Sequence, residues 1–191
     1  MTARTHDLAA VTILGVVAIT TLNIQITLGT ALIALVANQL GGIAPDLDQP
    51  TAPFWRNLPV GGYLGKIIGK VLGGHRFISH SLIGVAGFGF LADLALKFLH
   101  PILPNMNSGV VWWAFMIGLV SHLIMDTLTK EGVPWLLPIP IKFGLPPIKR
   151  LRITTGESAE KVIFIAILAF DMWYCSAHYG KLLALLHHQI I

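Results

Sequence analysis

From about Leu8 to Ala44 the chain is apolar almost without interruption, and only a lipid bilayer accommodates such a run comfortably. One crossing needs roughly 20 residues, so this stretch is too long for a single span. Asn23 and Gln25 lie near its middle, where polar groups are costly in hydrocarbon, which predicts a tight turn between two short helices. Further apolar runs follow at about Ser81 to Leu99, Val110 to Leu128 and Val162 to Leu186. The expected architecture is all-α, a polytopic membrane bundle of about five short transmembrane helices with interfacial loop segments. Residues 1–191 form one membrane-embedded domain in this reading. Composition agrees: 12% of the residues are charged and the mean hydropathy is +0.73, whereas soluble domains average about 25% charged residues. No small-residue cleavage pattern follows the first run, so it reads as a retained span and not as a signal peptide. A single cysteine, Cys175, excludes an intramolecular disulfide framework and a Cys-rich zinc site, and is expected to be buried.

Orientation follows from the basic residues, because cytoplasmic loops carry the positive excess. Five spans put Arg4, Arg56, Lys66, Lys70, Arg76, Lys130, Lys142, Lys149, Arg150, Arg152 and Lys161 on one side, and only Lys97 and Lys181 on the other. The N-terminus and both long loops are therefore assigned to the cytoplasm and the C-terminus to the exterior. The formal net charge of +4 follows from this distribution and suits anionic lipid headgroups. No basic helix or aromatic-interleaved stripe speaks for nucleic acid. In the loops, Leu58 to Leu72 mixes apolar residues with Lys66 and Lys70, as in a segment lying in the headgroup plane. The proline-rich stretch Gly132 to Pro147, with Trp135 and Phe143, reads as an irregular interfacial loop. Together the two could roof a shallow site at the lipid boundary.

Three motifs carry chemistry. GGIAPDLDQP at 41–50 presents Asp46 and Asp48, whose spacing in extended backbone would put both carboxylates on one side, where a cation would offset their repulsion. A plain polar turn is the alternative. GGHRFISHSL at 73–82 packs His75, Arg76, Ser79, His80 and Ser81 at the entrance of the third apolar run. Either serine could simply cap the helix, while the guanidinium of Arg76 suits a phosphate or carboxylate. GLVSHLIMDTLTKEG at 118–132 sets His122 and Asp126 four residues apart on one helical face, inside a span, where ionisable groups are rare unless paired or functional. They are either a metal-binding pair or a hydrogen-bonded pair tying two helices.

The topology assigned from Lys and Arg alone brings Asp46, Asp48, His75, His80, His122 and Asp126 to the cytoplasmic boundary, together with His6 at the start of the first helix. These seven are the candidate metal ligands. Their number exceeds a mononuclear zinc site, so a binuclear site, or one ion with a generous outer shell, is expected. Imidazole with carboxylate fits zinc, manganese or iron better than calcium.

APDLDQP, HRFISHSL, SHLIMDTLTKEGVPWLLP and RITTGESAEK, with the opening ARTH, resemble the signature blocks of the YdjM-like family over about residues 4 to 165. Where that family usually has THS, this chain has SHS, with Ser79 keeping a hydroxyl. The family is described as inner-membrane-associated metal-dependent hydrolases and is also labelled LexA-binding, a label with no residues to map. The resemblance implies a membrane-embedded hydrolase with His6, Asp46, Asp48, His75, His80, His122 and Asp126 on its motif positions, and makes Glu160 a further candidate.

In such a hydrolase a metal-bound water is the nucleophile, Asp48 or Asp126 would accept its proton, and Arg76, with Lys130 or Arg152, would stabilise charge on a phosphoryl oxygen. A site at headgroup depth points to a phosphoester of a lipid or lipid-linked substrate. The rivals are a metal-stabilised membrane regulator or scaffold, and a transporter, which would line a path to both faces. The oligomeric state stays open. Elsewhere, Thr155 is expected to cap the last helix with Glu160 in its first turn, and Asp93 to pair with Lys97 or a helix partner. His100, His178, His187 and His188 fall on the outer side, where Trp112, Trp113, Trp173 and Tyr174 serve as belt anchors.

Overall fold

The computed structural model describes residues 1–21, 26–74, 76–139 and 141–187, with side chains as far as 184. Its α-helices are α1 (Ala3–Thr21), α2 (Leu28–Ile43), α3 (Pro53–Arg56), α4 (Gly61–Val71), α5 (Leu82–Leu99), α6 (Ser108–Thr127), α7 (Ser158–Ala177) and α8 (Tyr179–His187). Four segments are long and apolar enough to cross a membrane: Ala3–Thr21, Leu28–Asp48, Leu82–Leu99 and Ser108–Thr127. Helix α7 has the length of a fifth, but carries Glu160, Lys161 and Asp171; its apolar stretch begins at Val162. The expected bundle of about five helices agrees with this arrangement. The first apolar run does divide into two helices, although Asn23 and Gln25, where the turn was expected, lie outside the described residues. The last run is not continuous: α7 ends at Ala177, His178 follows in a non-helical conformation, and α8 starts at Tyr179.

The tightest seam joins α2 to α6. Ala34, Asn38 and Gly42 recur at every fourth position of α2, opposite Ala114 and Gly118 on α6, all of them buried. A Cβ on Gly118 would sit 1.9 Å from the Asn38 carbonyl oxygen, and one on Gly41 would sit 2.0 Å from that of Phe115. Only glycine allows backbones this close, and close backbones are how helices gain dispersion contacts in lipid. The Asn38 amide, fully buried, donates to the Ala114 carbonyl at 3.0 Å, satisfying a polar group that hydrocarbon would not.

Helix α7 flanks α1, and the Thr12 hydroxyl donates to Asp171 across that seam at 2.9 Å. At one end of the bundle the Thr30 hydroxyl on α2 accepts from the Asn107 backbone at the start of α6. At the other end the start of α1, the end of α2, the entrance of α5 and the end of α6 converge. The loop after α6 is folded back onto that end: Ile153 N–H donates to Leu128 O at 3.0 Å, and Leu82 N–H donates to Trp135 O at 3.0 Å. As expected, the described residues of the stretch 132–147 are irregular. Helix α4 presents Tyr63, Leu64, Ile67 and Val71 outward and buries Gly61, Gly65 and Gly69 against the neighbouring loop.

Three expectations are corrected. Ala44–Asp48 is a 3-10 turn and not extended, so Asp46 and Asp48 diverge instead of sharing a side. Cys175 is exposed on the surface of α7, which contacts its neighbours with other positions, and is not buried. Thr155 does not cap α7: the N-cap position is Glu157, without a side-chain cap bond. Asp93 and Lys97 do pair, at 2.7 Å.

Candidate metal centre

His122 lies in the last turns of α6, one turn beyond the glycine crossing at Gly118. That crossing brings the end of α2 against α6, and the Gly42 carbonyl reaches His122 Nδ1 at 2.7 Å. A carbonyl only accepts, so Nδ1 carries the hydrogen and the Nε2 lone pair is left facing the cluster. His122 Nε2 is buried and has no hydrogen-bond partner among the described residues.

His80 sits in the 3-10 turn Ile78–His80, just ahead of α5. Of the neighbouring serines, Ser81 is the helix cap, accepting from Gly84 N–H at 3.2 Å. Ser79 has a different part. Its hydroxyl donates to Asp48 in a very short bond and lies 2.9 Å from His80 Nδ1. A hydroxyl has one hydrogen, so Ser79 gives it to Asp48 and accepts from His80 Nδ1–H, which again leaves Nε2 with the lone pair. Asp48 also accepts the Arg76 backbone N–H at 2.9 Å. This bond holds Arg76 at φ +58°, a left-handed conformation unusual for a residue with a side chain.

The two Nε2 atoms meet two carboxylate oxygens, alternating around a ring. His122 Nε2 is 3.6 Å from Asp46 Oδ1 and 3.8 Å from Asp126 Oδ2; His80 Nε2 is 4.0 Å from Asp46 Oδ1 and 3.6 Å from Asp126 Oδ2. Two overlapping groups, His6 with His122 and Asp126, and Asp46 with His80 and His122, each have their donor atoms within 4.8 Å of one another and could hold a metal ion. His6 stacks on His122 with ring centroids 3.8 Å apart, and its Nε2 is 3.3 Å from Asp126 Oδ1. His6, His80, His122, Asp48 and Asp126 are buried, whereas the Asp46 side chain is 29% exposed and forms the open side of the ring.

Asp126 is the electrostatic hub. Its Oδ1 takes the Met1 amine at 2.7 Å and its Oδ2 the Arg76 Nη2 at 2.6 Å. Arg76 Nη1 reaches Thr129 Oγ1 at 3.2 Å and Glu131 Oε2 at 3.4 Å. Burial alone would lower the pKa of His80, but the flanking Asp126 and Asp48 carboxylates favour its protonated form, outweigh that and raise it above the ordinary imidazole value. A metal ion there would therefore displace a proton.

Of the seven expected ligands, His6, Asp46, His80, His122 and Asp126 come together around one centre. Asp48 lies behind the His80 imidazole, on its Nδ1 side. His75 lies outside the described residues. Arg152 turns its guanidinium to the carbonyls of Pro146 and Pro147 in its own loop, at 2.8 and 3.1 Å, and Lys130 is exposed. The sequence reading missed the roles of Ser79, Thr129 and Glu131, and offered only a resemblance for Glu160.

A family profile described as YdjM inner membrane protein matches residues 1–184. Inner membrane protein YdjM of Escherichia coli (strain K12) is 31% identical over 133 residues, covering 69% of this chain and 61% of that protein; YdjM of Shigella flexneri aligns to the same extent. The uncharacterized protein YvsG of Bacillus subtilis (strain 168) is 27% identical over 135 residues, covering 71% of this chain and 73% of the relative. The chain thus spans less than two thirds of the length of the two YdjM relatives. No solved structure matches it.

Proposed function

The chain belongs to the YdjM inner membrane protein family, and from that premise we propose that it is a metal-dependent hydrolase of the inner membrane, acting at the cytoplasmic face on a phosphoester of a lipid or lipid-linked substrate. The observation that carries the proposal is the buried Nε2 of His122, a lone pair with no hydrogen-bond partner among the described residues, aimed between two carboxylates. In an apolar interior a polar atom left this way costs roughly 1–3 kcal/mol, which a bound cation would offset. Because His122 offers a single donor atom to both ligand groups, one ion accounts for both, and a second ion has no lone pair of His122 left to use. Zinc or manganese suits the donors.

The metal would supply a bound water acidified towards neutrality. The protein's own groups divide the remaining work. His6, His80, His122, Asp46 and Asp126 hold the ion. Asp48, through Ser79, keeps His80 in the ligating tautomer. Asp48 and Asp126, expected from the sequence to accept the proton, are taken up by Ser79 and by Met1 and Arg76; the more exposed Asp46 receives it as the substrate approaches from its side, and Arg76 stabilises charge on the phosphoryl oxygen. The lipid character of the substrate rests on the depth of the site, and the cytoplasmic side on the placement of eleven of the 13 Lys and Arg.

The near-closure of the cluster favours a second reading, a metal that braces a regulator or scaffold without catalysis. One experiment separates the two: elemental analysis of the detergent-purified protein, followed by a screen of lipid phosphoesters with the wild type and Asp46→Asn. A hydrolase carries about one metal per chain and loses both metal and turnover in the variant. Bound metal with no turnover across a broad panel supports the scaffold. No bound metal overturns both.

A further inference from the structure

Each ligating imidazole except one has a partner that orients its ring. His122 has the Gly42 carbonyl and His80 has Ser79 with Asp48, but the Nδ1 of His6 is buried with no hydrogen-bond partner among the described residues. A ligating histidine ordinarily depends on such a partner, so the placement of His6 must come from its backbone.

That backbone is held by a carboxylate from the far end of the chain. Glu160, 3% exposed, accepts four hydrogen bonds: Oε1 takes Thr2 N–H at 2.6 Å, Thr2 Oγ1 at 2.7 Å and Thr5 Oγ1 at 2.7 Å, and Oε2 takes Gly156 N–H at 2.6 Å. Helix α1 has no acidic residue in its first turn. Glu160 therefore supplies from α7 both the hydrogen-bond acceptor and the negative charge that the N-terminus of a helix calls for. Thr2 and His6 are four residues apart and Thr5 precedes His6 directly, so fixing the two threonines fixes the turn from which the His6 ring projects onto His122.

We propose that Glu160 is a positioning residue for the metal centre: by clamping Thr2 and Thr5 it aims His6 at the ion, in place of the usual partner on the imidazole. The claim that this aim serves a metal rests on the reading above; the clamp itself does not.

The test uses the full chain in detergent and two readouts. In the first, histidines are modified with diethyl pyrocarbonate and located by mass spectrometry. Glu160→Ala is expected to expose His6 to modification several-fold while His122 stays protected, and Thr5→Val, which removes one hydroxyl but keeps the fold, shifts His6 in the same direction by less. In the second, cobalt(II) is titrated. Glu160→Ala should weaken binding about 10–100-fold, His6→Ala should weaken it at least as much, and the double variant should be no weaker than His6→Ala alone. Rescue by Glu160→Asp, at least in part, is expected. Unchanged protection of His6 in both single variants, or effects that add in the double variant, would overturn the proposal. If the wild type binds no cobalt, the hydrolase reading falls and the modification readout decides the clamp by itself.

Discussion

Ser79 and Ser81 stand two positions apart, both at a helix entrance, and either is an acceptable N-cap by type. Their surroundings separate them: Ser81 caps α5, and Ser79 passes the charge of Asp48 to His80. Ser79→Ala should lower metal affinity by about 10-fold or more, and Ser79→Thr should restore it, because the hydroxyl is the working group; cobalt titration reads both. Glu160 offers a pH test. Burial pushes its pKa up, but the hydrogen bonds from Gly156, Thr5 and Thr2 prevail and bring it down to about 2, from an ordinary value of 4.5. A carboxylate with a depressed folded pKa contributes stability that is complete above its unfolded pKa and fades as the pH falls through the folded one. The difference in thermal stability between wild type and Glu160→Gln should therefore be constant above about pH 5 and shrink from about pH 4.5 towards 2. A difference that grew on acidification would contradict the clamp.

At the scale of elements, the spans were readable because lipid imposes length and apolarity together, and hydropathy reports both. The break between α7 and α8 was not, since no proline marks it and His178 ends α7 within an apolar stretch. The DxD pattern is ambiguous for a similar reason: the same residues at the same spacing occur in strand and in 3-10 turn, and Pro45 at the turn's second position favours the latter. Convergence of helix ends was foreseen from charge alone, but which histidine faces which carboxylate depends on the α2–α6 crossing, a backbone distance that residue types only hint at. Gly118→Ala forces a Cβ onto the Asn38 carbonyl and should cost about 2 kcal/mol or more. It should also weaken metal binding, because Gly42 would withdraw from His122. Gly15→Ala, with nothing within 4 Å of the added methyl, should be neutral or stabilising by about 0.5–1 kcal/mol. Thermal unfolding in detergent compares the two.

For the molecule as a whole, the five clustered His and Asp residues come from the start of α1, the turn after α2, the turn before α5 and the end of α6, all at one end of the bundle. If that end faces the cytoplasm, a reporter fused to the C-terminus should be active only outside, given five crossings; cytoplasmic activity there would refute the orientation. The bond between Thr5 and Glu160 spans 155 residues of chain, and this has a bearing on how the protein is made. Helix α1 leaves the ribosome first, yet the carboxylate that seats its opening turn is synthesised after all five of the clustered residues. With the clamp proposed above, His6 cannot take its final position until Glu160 at the start of α7 has been made, so the cluster is completed only late in synthesis. A chain stalled or truncated just before Glu160 would hold all five of the clustered residues and still lack the clamp that seats His6.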